Sequence, residues 1–277
     1  MIDYSMPAST YHARHEISNS QISDLAKSPR HFWCKHRDPS RRVIEPTPAM
    51  RAGTLLHTYA LEPQNMSEYI IRPEGLDGRT KAGKEWLAAH SSKQIISADA
   101  IDTASLQVAA LREVDVIADA LKSGRAEASV FWRDEDSGID CRARPDWLHR
   151  PTGKGRDIIA LDLKTTADAA PDAFSRSVHT YGYHRQAAHY TAGLEAEGFN
   201  VIAFVFAVVT SAPPFVAVAY VLDDATISQA EQERAELLEL YARCNATNEW
   251  PAYGQGYQVI GLPAWARRAD ELEVGYV

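Results

Sequence analysis

Cysteine is scarce in this chain. Its 277 residues hold three, Cys34, Cys141 and Cys244, widely separated and without a Cys-x-x-Cys spacing. That excludes a disulfide framework and leaves too few thiols for a four-cysteine zinc or iron–sulfur centre. Long apolar runs are missing too: none approaches the roughly 20 residues that span a bilayer. The opening Met1-Ile2-Asp3-Tyr4-Ser5 has no basic segment followed by an apolar one, so no secretory signal is expected and the expected compartment is a reducing cytoplasm. Repeats and low-complexity linkers are absent. Cations are in deficit, 29 Lys and Arg against 37 Asp and Glu, for a net charge of −8. A protein that coats nucleic acid over its whole surface would carry the opposite balance.

The charge that is present is uneven. Lys27 to Arg51 holds seven Lys or Arg against two acids, and Asp223 to Glu249 holds seven acids against two arginines. The basic stretch is either a local phosphate-binding surface or a solvated helix face.

Periodicity gives the element order. Residues 1–16 read as irregular and mobile. Ser18-Asn19-Ser20 caps a helix from about Gln21 to Lys27, Arg30–Lys35 resumes it, and Ala49–Leu61 is a helix stopped by Pro63. A short strand at Glu68–Arg72, a helix at Thr80–His90 and a strand at Ile95–Ile96 precede one long helix, Ala98–Lys122. Strands are expected at Ala128–Arg133, Ile139–Arg144 and Asp157–Lys164, then a helix at Phe174–Glu197. Strands Val201–Thr210 and Phe215–Leu222 and an acidic helix, Ile227–Thr247, follow; the tail from Trp250 reads as irregular but packed. This order predicts an α/β fold, a central mixed β-sheet flanked by helices, with a helical N-terminal portion. One domain over 1–277 is expected: residues 1–125 mainly helical, 126–249 the core that carries the chemistry, 250–277 an irregular tail.

Four elements carry chemistry. Asp162 and Lys164 lie two apart on an expected strand and so project from one face. Arg144-Pro145-Asp146 brings a second carboxylate nearby. Two converging carboxylates suit Mg²⁺, and an amine beside them suits metal-assisted hydrolysis of a phosphodiester; taken alone, Asp-x-Lys is also a common ion pair at a strand edge. Gly53-Thr54-Leu55-Leu56-His57 forms a second element, in which the glycine permits a close approach and His57 is either a metal or phosphate contact or a structural histidine. Glu127, before the first core strand, is a metal ligand, a water-orienting group or a surface acid. On the last element, a helix, Gln186 and Tyr190 share a face with Tyr183 close by; they contact a sugar-phosphate backbone or the lysine, or form an aromatic core stripe that leaves Arg185 and His189 solvated.

In order along the chain, Gly53–His57, Arg144-Pro145-Asp146, Leu161-Asp162-Leu163-Lys164-Thr165-Thr166 and Tyr183-x-x-Gln186-x-x-x-Tyr190 resemble the motifs of the PD-(D/E)xK nucleases of the RecB type. Ile17–Ser20, Ser28–Phe32 and Ala126–Trp132 are similar to the RecE, or exodeoxyribonuclease VIII, group of phage exonucleases, and the similarity runs from about residue 15 to 265. The resemblance implies a restriction-endonuclease-like core and a Mg²⁺-dependent deoxyribonuclease, with Mn²⁺ able to substitute. Asp146, Asp162 and His57 would hold the metal, Lys164 would be the catalytic lysine, Glu127 would match a family glutamate, and Gln186, Tyr190 and Tyr183 would support the site and the DNA. It further implies a processive 5′→3′ exonuclease on linear double-stranded DNA ends, a ring-shaped homo-oligomer, a RecT-type single-strand annealing partner, a role in phage-type recombination in a bacterial host, and no membrane. A structure-specific endonuclease on the same core, and a DNA-binding protein without activity, are the alternatives.

Overall fold

The structure is a computed structural model that describes residues 1–42, 45–151, 155–254 and 256–262. The chain opens with β1 (Ile2–Asp3), α1 (Ala8–Ala13) and β2 (Ile17–Ser18), then α2 (Asn19–Lys27), α3 (Pro29–His36) and α4 (Pro48–Leu61). A 3-10 turn at Pro63–Glu68 leads to β3 (Tyr69–Ile71), α5 (Lys81–Ala89) and β4 (Gln94–Ile96). Next come α6 (Ala98–Arg112), α7 (Asp115–Lys122), β5 (Arg125–Ala126), β6 (Ser129–Arg133), β7 (Asp140–Ala143), β8 (Trp147–His149) and β9 (Asp157–Thr166). The chain continues with α8 (Pro171–Tyr181), α9 (Tyr183–Ala196), β10 (Asn200–Thr210), β11 (Ala217–Tyr220) and α10 (Asp224–Thr247).

The main sheet has the strand order β11-β10-β9-β8-β5, a second has β1-β6-β7-β2, and β3 and β4 form a pair of their own. The main sheet is mixed: β9 and β10 run parallel, while β8 and β11 flank them antiparallel. A parallel pair needs a crossover connection, and α8 and α9 supply it. Because side chains alternate on a strand, β9 and β10 each feed two cores. Ile158, Ala160, Phe204, Phe206 and Val208 pack with α8 and α9 on one side. Leu161, Leu163, Val205, Ala207 and Val209 pack with α4, α6 and α7 on the other. Asp162 and Lys164 continue the first of these rows, so the same period that buries Ala160 aims the two polar groups at α9.

Four expectations fail here. Residues 1–16 are not irregular: β1 pairs with β6 and α1 follows, held by contacts with residues over a hundred positions away that no local pattern reports. The expected helix Ala98–Lys122 is two, because Val114 is extended (φ −91°, ψ 107°); α7 re-aims there to bury Ile117 and Ala120, and no Gly or Pro marks the break. The expected helix Phe174–Glu197 is also two. Gly182, at φ +69°, takes the left-handed conformation that ends α8 and starts α9, a position glycine occupies at little cost. Finally, the described part of the tail is packed only at its start: Trp250 stacks on Phe32 at 5.0 Å and the Pro251 carbonyl accepts from the Arg30 N–H at 3.0 Å, but Tyr253, Tyr257, Val259 and Ile260 are exposed; 263–277 fall outside the described residues. The strand β8 was not expected; three residues are too few to show alternation.

Part of the basic stretch is engaged in ion pairs and hydrogen bonds within the chain. Lys27, Lys35 and His36 all contact the buried carboxylate of Asp24, at 3.2, 2.7 and 3.0 Å. Burial would raise that carboxyl's pKa; these contacts outweigh it and hold it well below the usual range. Arg37 binds Tyr241 and Asn245 at 2.7 and 3.1 Å.

The packing of α9 on β6 is close enough to be tested. A Cβ on Gly193 would lie 2.5 Å from the Trp132 ring. Gly193→Ala is therefore expected to destabilise the protein by about 1–3 kcal/mol through overpacking, read as a lower denaturation midpoint in urea.

Candidate active site

The site begins with a break in a ladder. β8 pairs with β9 from Trp147↔Leu161 onward, and Pro145 has no N–H with which to extend the pairing. The Asp146 side chain takes over: its Oδ2 accepts from the Leu163 backbone N–H at 2.7 Å. The Leu163 carbonyl is used as well, accepting from His57 Nε2–H at 3.1 Å. His57 arrives on α4, which Thr47 caps through the Met50 N–H and Pro48 starts; Leu55 and Leu56 bury the opposite side of the helix. One residue of β9 thus fixes both an aspartate and a histidine.

With Nε2–H committed to a carbonyl, the neutral His57 ring presents a bare Nδ1 lone pair. It faces Asp146 Oδ2 at 3.5 Å. Burial lowers the His57 pKa, disfavouring an added proton. Glu127 completes the group: one ligand atom from each of His57, Glu127 and Asp146 lies within 4.8 Å of the others. Glu127 sits at φ +52°, rare for a residue with a side chain, and is held there by its N–H donating to the Asp146 carbonyl at 3.0 Å. Burial and the Asp146 charge push its carboxyl up to about 7, against the pull of Arg144. Burial and the Asp162 charge likewise raise Asp146 well above the carboxylate range. An imidazole lone pair and two crowded carboxylates, all acceptors turned toward one another, fit a divalent cation with oxygen and nitrogen ligands.

The lysine stands beside this cluster. Lys164 Nζ is ion-paired with Asp162, donates to Gln186 Oε1 at 3.0 Å and lies 4.6 Å from the centre of the Tyr183 ring. The Gln186 amide donates in turn to Asp162 Oδ2, so one glutamine of α9 orients both partners of the ion pair. Tyr190 lies one turn further along α9, and burial raises its phenol pKa. Burial alone would lower the Lys164 pKa, but the charges of Asp162 and Asp146 outweigh it and hold the ammonium above its ordinary range. While both carboxylates are ionised, Lys164 is a cation and not a base.

The eight residues singled out from the sequence therefore fall into two adjoining groups. His57, Glu127 and Asp146 form the ligand cluster; Lys164, Asp162, Gln186, Tyr183 and Tyr190 form the lysine's surround, with Asp162 only 1% exposed and both its oxygens turned to Lys164 and Gln186. Gly53 makes no close approach: a Cβ there would meet nothing within 4 Å, because the glycine faces an open cleft. His189 is fully buried and donates to the Arg142 carbonyl at 3.0 Å, and Arg185 pairs with Glu233 at 2.8 Å, so neither is solvated.

Sequence reasoning missed Arg144. Its guanidinium donates to Glu127 Oε2 at 2.6 Å, Ser129 Oγ at 2.6 Å and the Met6 carbonyl at 3.1 Å. The available signal was Arg142 and Arg144 two apart on the expected strand Ile139–Arg144, hence on one face of it.

The Glu127 carboxyl carries a pH prediction. Its folded pKa, about 7, exceeds the ordinary 4.5, so the folded state holds the extra proton between those values. Stability from this group is full below about 4.5 and is lost as pH rises to about 7. Glutamine mimics the protonated form. With EDTA present, Glu127→Gln is expected to be nearly neutral at pH 4 and stabilising by up to about 3 kcal/mol at pH 8, measured by denaturant unfolding at both values.

A mixed sheet with helices on both faces, an aspartate after a proline, and an Asp-x-Lys pair on the adjoining strand define the PD-(D/E)xK nuclease fold. The chain belongs to the family described as a PDDEXK-like domain of unknown function (DUF3799), whose sequence profile matches residues 18–261. Among solved structures it is similar to a "Putative exonuclease" from Eubacterium rectale, with a TM-score of 0.59 and 14% identity over 98% of this chain and 99% of that one. At that identity the likeness concerns the fold. The SSO0001 structure aligns over 68% of this chain and 86% of its own at 16% identity with a TM-score of 0.30, too low to bear on the argument. No curated protein matches the chain.

Proposed function

We propose that this protein is a Mg²⁺-dependent deoxyribonuclease, with Mn²⁺ able to substitute. The observation that carries this reading is the lysine fixed by Asp162 and Gln186 beside the His57–Glu127–Asp146 cluster. His57, Glu127 and Asp146 would hold a divalent cation, which would supply Lewis-acid polarisation of a phosphodiester and would lower the pKa of water. The chain's own residues do the rest. Leu163 sets the His57 tautomer and the Asp146 rotamer, so two ligands are oriented before any cation arrives. Arg144 holds Glu127. Lys164, charged and drawn toward α9, stabilises the negative charge that grows on the phosphate as water oxygen bonds to phosphorus and the P–O3′ bond breaks. The products are a 5′-phosphate and a 3′-hydroxyl. Asp162 and Gln186 keep Lys164 in place.

The finer reading rests on the resemblance to RecE-type exonucleases: processive 5′→3′ degradation of linear duplex DNA, as a ring-shaped oligomer in a bacterial cytoplasm, feeding a single-strand annealing protein of the RecT type. Among the described residues no helix is long and apolar enough to cross a membrane. The test is end-labelled linear duplex against closed circular duplex, each with Mg²⁺ or EDTA. Mg²⁺-dependent loss of the linear form with early release of the 5′ label is expected; cutting of the circle would replace the exonuclease with an endonuclease, and early release of the 3′ label would reverse the polarity.

A further inference from the structure

The cleft that holds His57 and Glu127 does not end at them. Tyr4 lines that cleft and also lines a second one, of about 440 Å³. Two residues of the second cleft, Leu148 and Ile158, are buried and apolar. Two others are rings, and each carries a guanidinium. Arg125 lies 4.9 Å from the centre of the Tyr4 ring, and Arg150 lies 5.4 Å from that of Phe199. Strand pairing sets the spacing from the ligand cluster. Arg125 on β5 faces Leu148 on β8 in an antiparallel pair. Continuing that register puts Arg150 beside Ser123, four positions from Glu127, or roughly 13 Å at the rise of a strand.

The charge of this second cleft is opposite to that of the chain. The net charge is −8, yet no carboxylate lines the cleft. Among the described residues no acid pairs with Arg125 or Arg150. Neighbouring cations are already engaged: Lys122 with Asp119 at 2.5 Å, Arg144 with Glu127, and Arg156 with the Gly198 carbonyl at 2.8 Å. An arginine laid on a ring keeps its fork of N–H donors, which matches phosphate oxygens. An exposed ring offers a face on which any base can stack. Rings and free arginines in one groove suit a single strand. A duplex keeps its base faces against one another and has none to offer.

We infer that Tyr4, Arg125, Arg150 and Phe199 form a second binding site, for an unpaired stretch of the DNA strand whose scissile phosphate lies at the ligand cluster. Bases stack on the two rings and the two arginines take phosphates. The identity of the strand rests on the nuclease reading above. The site itself is indifferent to whether the strand has an end, and it acts on binding and not on the bond being broken.

The experiment reads binding apart from cleavage. A labelled thymidine strand of about 12 nucleotides, within the site sizes usual for such grooves, is titrated in EDTA and followed by fluorescence anisotropy. A blunt duplex of the same length is the control. Tyr4 and Arg150 are both exposed, and thermal melting checks the fold of each variant. Tyr4→Ala should weaken the single strand by about 5- to 150-fold, the worth of one stacked base, and leave the duplex unchanged. Arg150→Ala should reduce the slope of log affinity against log salt by about 0.7, one phosphate contact on a single strand; Arg150→Lys should restore it. With Mg²⁺, both alanine variants should raise KM on the long strand at unchanged kcat. A dinucleotide, too short to reach Arg150 from Glu127, should be cut alike by all. Single-strand affinity and salt slope unchanged in both variants would overturn the inference, as would equal losses on strand and duplex. Native protein that binds the strand in this pattern but cuts nothing would remove the nuclease reading and leave a site for unpaired strand standing.

Discussion

Replacing Lys164 by alanine is expected to slow DNA hydrolysis by about 10²- to 10³-fold, the cost of removing one preorganised group that stabilises transition-state charge. The ligand cluster of His57, Glu127 and Asp146 is untouched, so Mn²⁺ should still bind, as titration calorimetry would show. The substitution has a structural cost, because it leaves Asp162 buried without its counter-charge. Breaking a buried pair from one side costs about 3–5 kcal/mol. Adding Asp162→Asn removes the stranded charge. The double variant should therefore recover much of the stability and none of the activity, and that divergence separates a chemical role for the lysine from a purely structural one. Recovery of cleavage in the double variant would place Lys164 in the scaffold.

The second large effect is expected at Asp146. Asparagine keeps an oxygen to accept from the Leu163 N–H but removes the charge facing His57 Nδ1. Changes to groups that merely orient a ligand cost about 10- to 100-fold in metal affinity, so loss of a ligand charge should weaken Mn²⁺ by at least about 100-fold and take cleavage below detection. Stability should move the other way when no cation is present, since the charged carboxylate is disfavoured by burial and by Asp162. A variant that melts higher in EDTA and binds no Mn²⁺ is the expected phenotype. One that melts lower and binds normally would assign Asp146 to the strand junction alone.

What the sequence made legible follows from how local each signal is. Asp162 and Lys164 share a face because a strand has a period of two, and that requires only the strand to be recognised. Asp146 was legible because a proline precedes it and stops the ladder. Gln186, Tyr183 and Tyr190 were legible as neighbours on one helix, although the break at Gly182 that starts this helix was not, since the helical pattern runs through it. The partners of Arg142 and Arg144, and the order of residues 4–16 that bind them, were not legible for a common reason. Their contacts join residues 6–14 to residues 142–144, and two-residue strands such as β1 carry no periodicity to read. Nor could spacing show that Asp162 turns to Lys164 and Gln186 while Glu127 joins His57 and Asp146; that partition depends on the left-handed turn at Glu127 and its hydrogen bond to Asp146.

The measurement that bears most directly on the site is a Mn²⁺ titration of the native protein and of Asp146→Asn, with cleavage of linear duplex DNA followed at each cation concentration. The predicted result is that cleavage by the native protein rises with occupancy, stops in EDTA, and is lost together with binding in the variant. Cleavage that persists in EDTA, or Mn²⁺ binding unchanged by Asp146→Asn, would contradict a metal-dependent nuclease built on His57, Glu127 and Asp146.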